Sequence, residues 1–372
     1  MALDKVPAAL MSGLLVSETA PSNPGVGQRW YKASTAVTYQ YTNDGTSSFW
    51  LDVTSAGIGT SAERGVDFVG DTDPHKATNL GAVGSVYYNR EKNRHFVCTT
   101  ATSGSQVWSG IYDGAGGVVN DYVVSSTAYR SHTFLGSGTF LVQGSATFDY
   151  LIIGGGGSGG QNGGGGGAGG FYTATNVTLT AGRYAVVIGL GGKGEAYSGG
   201  NGNNGTDSSF NSITMKGGGA GGNWGEVGHA NGNASGGGGG GASSAGGAGG
   251  SNGNNGGAAS GSTVIYGGGG GAGEAGNTDG AGYGGDGAVN AYRTGSNITY
   301  AGGGGGGIQG SSGQHGLGGD GGGGDGTTAA SFDSGTGGSG TANTGSGGGG
   351  SGGGSATSGS GGSGIVVIRY AL

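Results

Sequence analysis

The chain has 372 residues, 107 of them glycine, a formal net charge of −7 and only 9 per cent charged side chains. An average domain carries about 25 per cent charged residues, and charged disorder combines low hydrophobicity with high net charge, so this is not a charged disordered polymer. Five scattered basic residues after Tyr150 form no phosphate-binding stripe, which excludes nucleic acid as main partner, and the single cysteine, Cys98, excludes a disulfide framework or a Cys-based zinc finger.

At the N-terminus, Leu3, Val6, Leu10 and Leu14 share one helical face. Asp4 beside Lys5, and Pro7 at the start of the apolar run, argue against a cleaved secretory leader. A helical docking peptide is expected there. No stretch reaches the roughly 18 apolar residues of a membrane span.

Two related segments follow. Val26 to Trp50 (VGQRWYKASTAVTYQYTNDGTSSFW) and Val83 to Trp108 (VGSVYYNREKNRHFVCTTATSGSQVW) each open on Val-Gly and an aromatic pair, and each closes on a tryptophan. Between these lie a polar turn and an alternating strand, the pattern of hairpins; Asn43-Asp44-Gly45 tolerates positive φ in the first turn. Two three-stranded modules are predicted, over 1–60 and 61–125. Each is too small to bury much surface alone. Arg90, Glu91, Lys92 and Arg94 are expected at a solvated hairpin tip.

From Tyr129 short β-rich segments alternate with Gly-Ser turns, and after Tyr150 glycine takes over: 89 of the 107 glycines lie there. Fixing one backbone costs about 1–2 kcal/mol, and glycine loses the most freedom, so these tracts are either linkers or a dense hydrogen-bonded solid. Collagen is excluded, because Pro7, Pro21, Pro24 and Pro74 all precede the tracts and the glycines have no strict period. Apolar islands punctuate the tracts, and the last, Ile365 to Tyr370 (IVVIRY), reads as a core strand pairing centrally with Tyr150 to Ile153. The fold expected is therefore all-β. Small N-terminal β-hairpin modules precede a β-sandwich over 126–372, with inserted polyglycine II helices packed in a lattice. Such helices have three residues per turn, no internal hydrogen bonds and about 3.1 Å rise. Ala and Ser interruptions are expected at lattice edges, with larger residues at turns or outer faces.

Catalytic motifs fail one by one. Gly189, Gly191 and Gly194 spell a dinucleotide fingerprint, but Glu195 to Gly202 cannot supply the helix that must follow. Lys193 is followed by glycine, so there is no P-loop. The five histidines lack metal spacing, and Asp279, Asp286, Asp320 and Asp325 do not form the regular calcium-binding nonapeptide. No enzyme activity, catalytic residue, cofactor or metal is expected. Exposed aromatic and charged residues between tracts suit recognition instead. The receptor-binding candidates are Trp224, His229, Tyr283, Tyr292, Arg293 and His315.

Four segments in order, Tyr129 to Gly157, Ala181 to Gly192, Gly205 to Gly219 and Gly361 to Tyr370, resemble the glycine-rich domain of bacteriophage tail fibre and adhesin proteins. Pro21 to Asp52 is similar to a small module repeated in phage tail proteins. The resemblance implies a homotrimeric virion protein acting outside the host cell. Its N-terminus would join other phage tail proteins, and its loops would bind a host cell-surface polysaccharide or outer-membrane protein. Two alternatives remain open: a structural tail or decoration protein without receptor binding, and an ice-binding polyglycine II protein.

Overall fold

A computed structural model describes residues 14–26, 28–34, 37–43, 47–52, 66–92, 94–110, 112–196, 200–241, 244–260, 265–309, 315–329, 335–353 and 356–372. The expected docking helix lies outside this set except for Leu14, as do Asp44 and Gly45 of the first turn. Among the described residues all regular structure is β-strand, in two compact units, Met1–Ile111 and Tyr112–Leu372. None of it is a helix long and apolar enough to cross a membrane.

The first unit holds two sheets of one design. Strands β1 (Leu14–Val16), β2 (Arg29–Lys32), β3 (Val37–Asn43) and β4 (Ser48–Asp52) form one; β5 (Phe68–Gly70), β6 (Val86–Asn89), β7 (Arg94–Thr100) and β8 (Val107–Gly110) form the other. Each has four strands, not the three predicted. The extra strand pairs parallel to the next one, Leu14 opposite Arg29 and Phe68 opposite Tyr87. Parallel pairing needs a crossover, so this strand lies upstream of the repeat visible in sequence. In the second sheet, Tyr87, Phe96, Cys98 and Trp108 are buried. The basic turn is no solvated tip: Lys92 and Arg94 lie 3.5 and 3.8 Å from the fully buried Asp73, which also accepts from Asn89 Nδ2 at 2.7 Å.

The second unit begins at Tyr112, upstream of the expected boundary at 126, because β9 (Gly114–Ala115) and β10 (Val118–Val124) pair with its strands. Next come β11 (Thr127–Phe134), β12 (Gly138–Val142), β13 (Ala146–Ile153), β14 (Phe171–Leu179), β15 (Gly182–Val187), β16 (Ser208–Phe210) and β17 (Ile213–Met215). The short strands β18 (Ala288–Asn290), β19 (Ile298–Tyr300), β20 (Ile308–Gln309) and β21 (Thr328–Ala329) precede the last, β22 (Ile365–Ala371). Two five-stranded sheets result, ordered β10-β11-β22-β13-β14 and β17-β16-β15-β12-β9. The final strand is central, with Tyr150 opposite Ile368 and Ile153 opposite Ile365.

Alternation across the pleat explains why β22 is apolar on both faces. Tyr370 on one face meets Phe148, and Phe148 and Phe140 pack edge-to-face across the sheets at 5.4 Å, as Tyr150 and Phe210 do at 5.2 Å. Ile365 and Val367, on the other face, join Leu151, Ile153 and Tyr300 in a second cluster, against which Tyr292 and Ile298 pack. The hairpin formed by β18 and β19 thus covers the outer face of the first sheet.

Beyond the strand ends, the glycine tracts hydrogen-bond with partners that change in rotation. Gly154, Gly157 and Gly160 donate to Gly170, Gly167 and Gly164. Gly155 and Ser158 donate to Thr206 and Asn203, and Gly156 and Gly159 to Gly362 and Gly359. The same tract accepts from three further segments, through Gly192, through Gly218 and Gly221, and through Gly348 and Ser351. Every third residue returns to the same neighbour, which is the pattern expected of a threefold extended helix with its polar groups pointing sideways. Six neighbours around one tract leave little room for a Cβ. One built on Gly238 would collide with the Gly267 carbonyl, and one on Gly304 with that of Gly348.

The small interruptions divide: Ala245, Ala248, Ser251 and Ala258 are exposed as expected of edges, but others are interior. Ser158, Ser235 and Ser346 are fully buried, as are Ala168, Ala220 and Ala234. The serines supply extra bonds: Ser158 Oγ accepts from Asn203 N at 2.8 Å, and Ser235 Oγ donates to the Gly271 carbonyl at 2.9 Å.

Gly238→Val and Gly304→Val are each expected to abolish folding, because both collisions are with backbone that is fixed by its own bonds. Gly144→Ala, where the added Cβ meets nothing within 4 Å, is expected to leave the melting temperature within a few degrees. Soluble yield and circular-dichroism melting of the three variants measure this; normal melting of both valine variants would show that the tracts are linkers.

Candidate functional site

The tracts leave β13 at Ile153 and turn at Gln161–Asn162, so residues near that turn lie at the far end from the sheet. Gly163 accepts from Gly307 N at 3.1 Å and Gly160 from Ser351 N at 3.1 Å, which places 307 and 351 at that end as well. Gly222, whose carbonyl accepts from Gly164 N at 3.0 Å, leads into the turn that carries Trp224.

That turn is built by local chemistry. Glu226 N donates to the Asn223 carbonyl at 2.8 Å, and Gly225 takes φ 77°, the third position of a turn that favours glycine there. Asn223 Oδ1 accepts from Trp224 N at 2.7 Å, and Asn201 Oδ1 accepts from Asn223 N at 2.8 Å. Trp224 is 46 per cent exposed and stands edge-on to Tyr266, their rings 6.1 Å apart.

Tyr266 ties together three of the candidates. Its ring touches Trp224, and its N–H donates to Gly307 O at 3.0 Å. The adjacent Gly306 donates to Gly282 O at 2.7 Å, next to Tyr283, and accepts from Gly316 N at 3.0 Å, next to His315. Trp224, Tyr283 and His315 therefore sit on neighbouring segments at one end of the lattice, with the half-exposed Leu317 between the last two in this network. Tyr266 itself is buried, its hydroxyl has no partner among the described residues, and burial raises its pKa.

The other candidates lie elsewhere. His229 is held at mid-tract, its N–H on Ala220 O and its carbonyl accepting from Gly237 N, with a partly exposed side chain. Tyr292 and Arg293 belong to the sandwich. The Arg369 guanidinium lies 4.1 Å from the Tyr292 ring centre, and the Tyr292 carbonyl accepts from Tyr122 Oη at 2.6 Å. Arg293 gives its carbonyl to Asn120 Nδ2 and Ser131 Oγ. The apparent recognition pair is thus the turn of the hairpin that covers β22. Sequence reading passed over Tyr266 and Leu317; the first looked like a strand residue and the second sits alone among glycines.

Glu274, Asp279 and Asp286 offer carboxylate oxygens within 4.8 Å of one another, the only such metal-capable group among the described residues. Two of them are already engaged as acceptors, Glu274 Oε1 from Asp286 N and Asp286 Oδ1 from Asp320 N.

Residues 132–371 match the model of the glycine-rich domain family, and the chain belongs to it. None of the curated proteins compared matches the sequence.

One titratable group in the sandwich has a clear consequence. Burial among Phe140 and Tyr370 pushes His132 down to about 4; its bond to the Gly116 carbonyl opposes this and the Arg130 charge adds to it. The carbonyl can only accept, so Nδ1 carries the proton at 2.7 Å and Nε2 is left bare among rings. The folded pKa lies below the unfolded value of about 6.5, so unfolded chains bind more protons between the two. Stability is full above pH 6.5 and falls as pH drops towards 4, by about 2 kcal/mol at pH 5. Unfolding free energies from urea melts at pH 7 and pH 5 should differ by that amount in the native chain and by much less in His132→Gln.

Proposed function

We propose that this chain is a non-enzymatic virion protein, a phage tail fibre or adhesin that contacts the host surface through the far end of its glycine-rich domain. The observation that carries this reading is the half-exposed Trp224 against Tyr266, whose N–H bonds to Gly307, while the adjacent Gly306 joins the segments of Tyr283 and His315. Loops fixed by a solid lattice have little ordering left to do on contact, so few side chains suffice for affinity. Aromatic faces backed by amides suit the apolar faces and hydroxyls of a cell-surface polysaccharide, or an outer-membrane protein loop.

In this reading the four-stranded sheets of the first unit join the chain to other tail proteins, and the protein acts outside the host. The homotrimer in this proposal rests on the resemblance to tail fibres, and the physical motive for an oligomer is that modules this small gain stability from a partner. Sedimentation of the intact chain as a 35.0 kDa monomer would remove the oligomer from the proposal. The bulky turn residues speak against an ice-binding face, which would be flat; thermal hysteresis at micromolar protein would reverse that preference.

Trp224→Ala, and separately Tyr283→Ala with His315→Ala, are expected to reduce virion adsorption by about tenfold or more, a loss of roughly 1.4 kcal/mol each. Melting temperatures should stay within a few degrees. Tyr292→Ala is expected to do the opposite, lowering the melting temperature because it uncovers Arg369 and the outer cluster. Unchanged adsorption in both far-end variants would leave a structural tail or decoration role.

A further inference from the structure

Away from the lattice end, the second sheet contains a notch. β15 pairs with β16 only through Val186 opposite Phe210 and Val187 opposite Ser209. β16 then turns at Asn211–Ser212 into β17, whose Ile213 lies opposite Phe210. Arg183 to Ala185 of β15 therefore run on past the end of β16. The space between them and the turn is a cavity of about 330 Å³, lined by Arg183, Tyr184, Ser209, Asn211, Ser212 and Thr214.

Three features mark this space as a ligand site. The first is charge. Arg183 is exposed and forms no ion pair among the described residues, whereas Arg130 and Arg369 of the same unit each hold an aspartate. No carboxylate lines the cavity.

The second is the wall. Ser209, Ser212 and Thr214 supply three hydroxyls to the lining, beside Asn211, whose Nδ2 donates to Tyr150 Oη at 3.5 Å, and Tyr184, whose Oη donates to Thr180 O at 3.0 Å. The third is the turn itself. Asn211 and Ser212 take φ 48° and 63°, the two-residue hairpin turn that glycine fits best. Ser212 thus lines the cavity from a turn whose backbone is left-handed at both positions.

A cavity at the small end of the ligand-pocket range, roughly 300–1,000 Å³, holds one sugar-sized group. A guanidinium fork binds a carboxylate with two parallel bonds, and the hydroxyls of the lining exchange hydrogen bonds with sugar hydroxyls. We propose that the notch between Arg183 and the Asn211–Ser212 turn binds a carboxylated monosaccharide unit, of the uronic-acid class. The site is separate from Trp224 and does not depend on what the far-end loops contact.

Titration of the full chain with glucuronic acid, followed by amide NMR, tests this. Saturable shifts confined to 183–187 and 209–214 are expected, with affinity on the order of 1 mM. Glucose, which lacks the carboxylate, and acetate, which lacks the ring, should each bind at least about tenfold more weakly. Arg183→Gln should lose at least about tenfold and Arg183→Lys less, since a point charge replaces a fork. Trp224→Ala should leave glucuronic acid binding unchanged. Arg183→Gln should melt as the native chain does, because the exposed side chain holds no ion pair. Absence of shifts at about 50 mM glucuronic acid, undiminished binding by Arg183→Gln, or acetate binding as tightly as the sugar acid would each overturn the proposal.

Discussion

The structure depends on one constraint: a glycine tract has no hydrogen bonds of its own, so each must be surrounded. Gly154 to Gly160 meets this by donating to three neighbours in turn and accepting from three others. A single backbone hydrogen bond contributes a net 0.5–1.5 kcal/mol or so, and ordering one residue costs about 1–2 kcal/mol. With terms so closely matched, a partly bonded tract would not stay ordered, and a Cβ at a glycine such as Gly238 or Gly304 would collide with a neighbouring carbonyl. Ala168, Ala220 and Ala234 are nonetheless buried among the tracts, and the buried Ser158 and Ser235 add hydrogen bonds of their own.

The lattice also needs an edge where registration begins. The sandwich provides it. β13 runs directly into the first tract at Gly154, and the last tract runs directly into β22, its register partner. Gly170 leads straight into β14, the other neighbour of β13. The tracts are therefore long connections between strands already aligned by an aromatic core. The hairpin of β18 and β19 closes the remaining side, with Arg369 held between the rings of Tyr129 and Tyr292 and paired to Asp149 at 2.9 Å.

Once both ends of each tract are set, the large side chains have few places to go. They occupy the turns at the far end, where Trp224 stands over Tyr266, or the sheet itself, where Arg183 borders the β16 turn. The first unit follows ordinary rules: cross-strand aromatic pairs fill a small core, and the buried Asp73 is met by Asn89, Lys92 and Arg94.

The sequence alone determined the all-β class, the repeated modules and the central place of IVVIRY, because alternation and apolar continuity are legible in neighbouring residues along the chain. Four prolines confined to the start, and glycine without period, likewise excluded collagen before any contact was known. Tertiary structure decided everything that depends on which tract lies beside which. Tyr292 and Arg293 look like Trp224 in sequence, each a bulky residue among glycines, yet one pair packs over β22 while Trp224 reaches solvent. The parallel strands β1 and β5 escaped notice because a three-residue strand acquires meaning only from its partner. Arg90 to Arg94 read as a solvated turn because Asp73, which draws Lys92 and Arg94 inward, lies some twenty residues upstream. A glycine tract carries no side chains by which to specify its neighbours, so its place is set by the strands at its two ends.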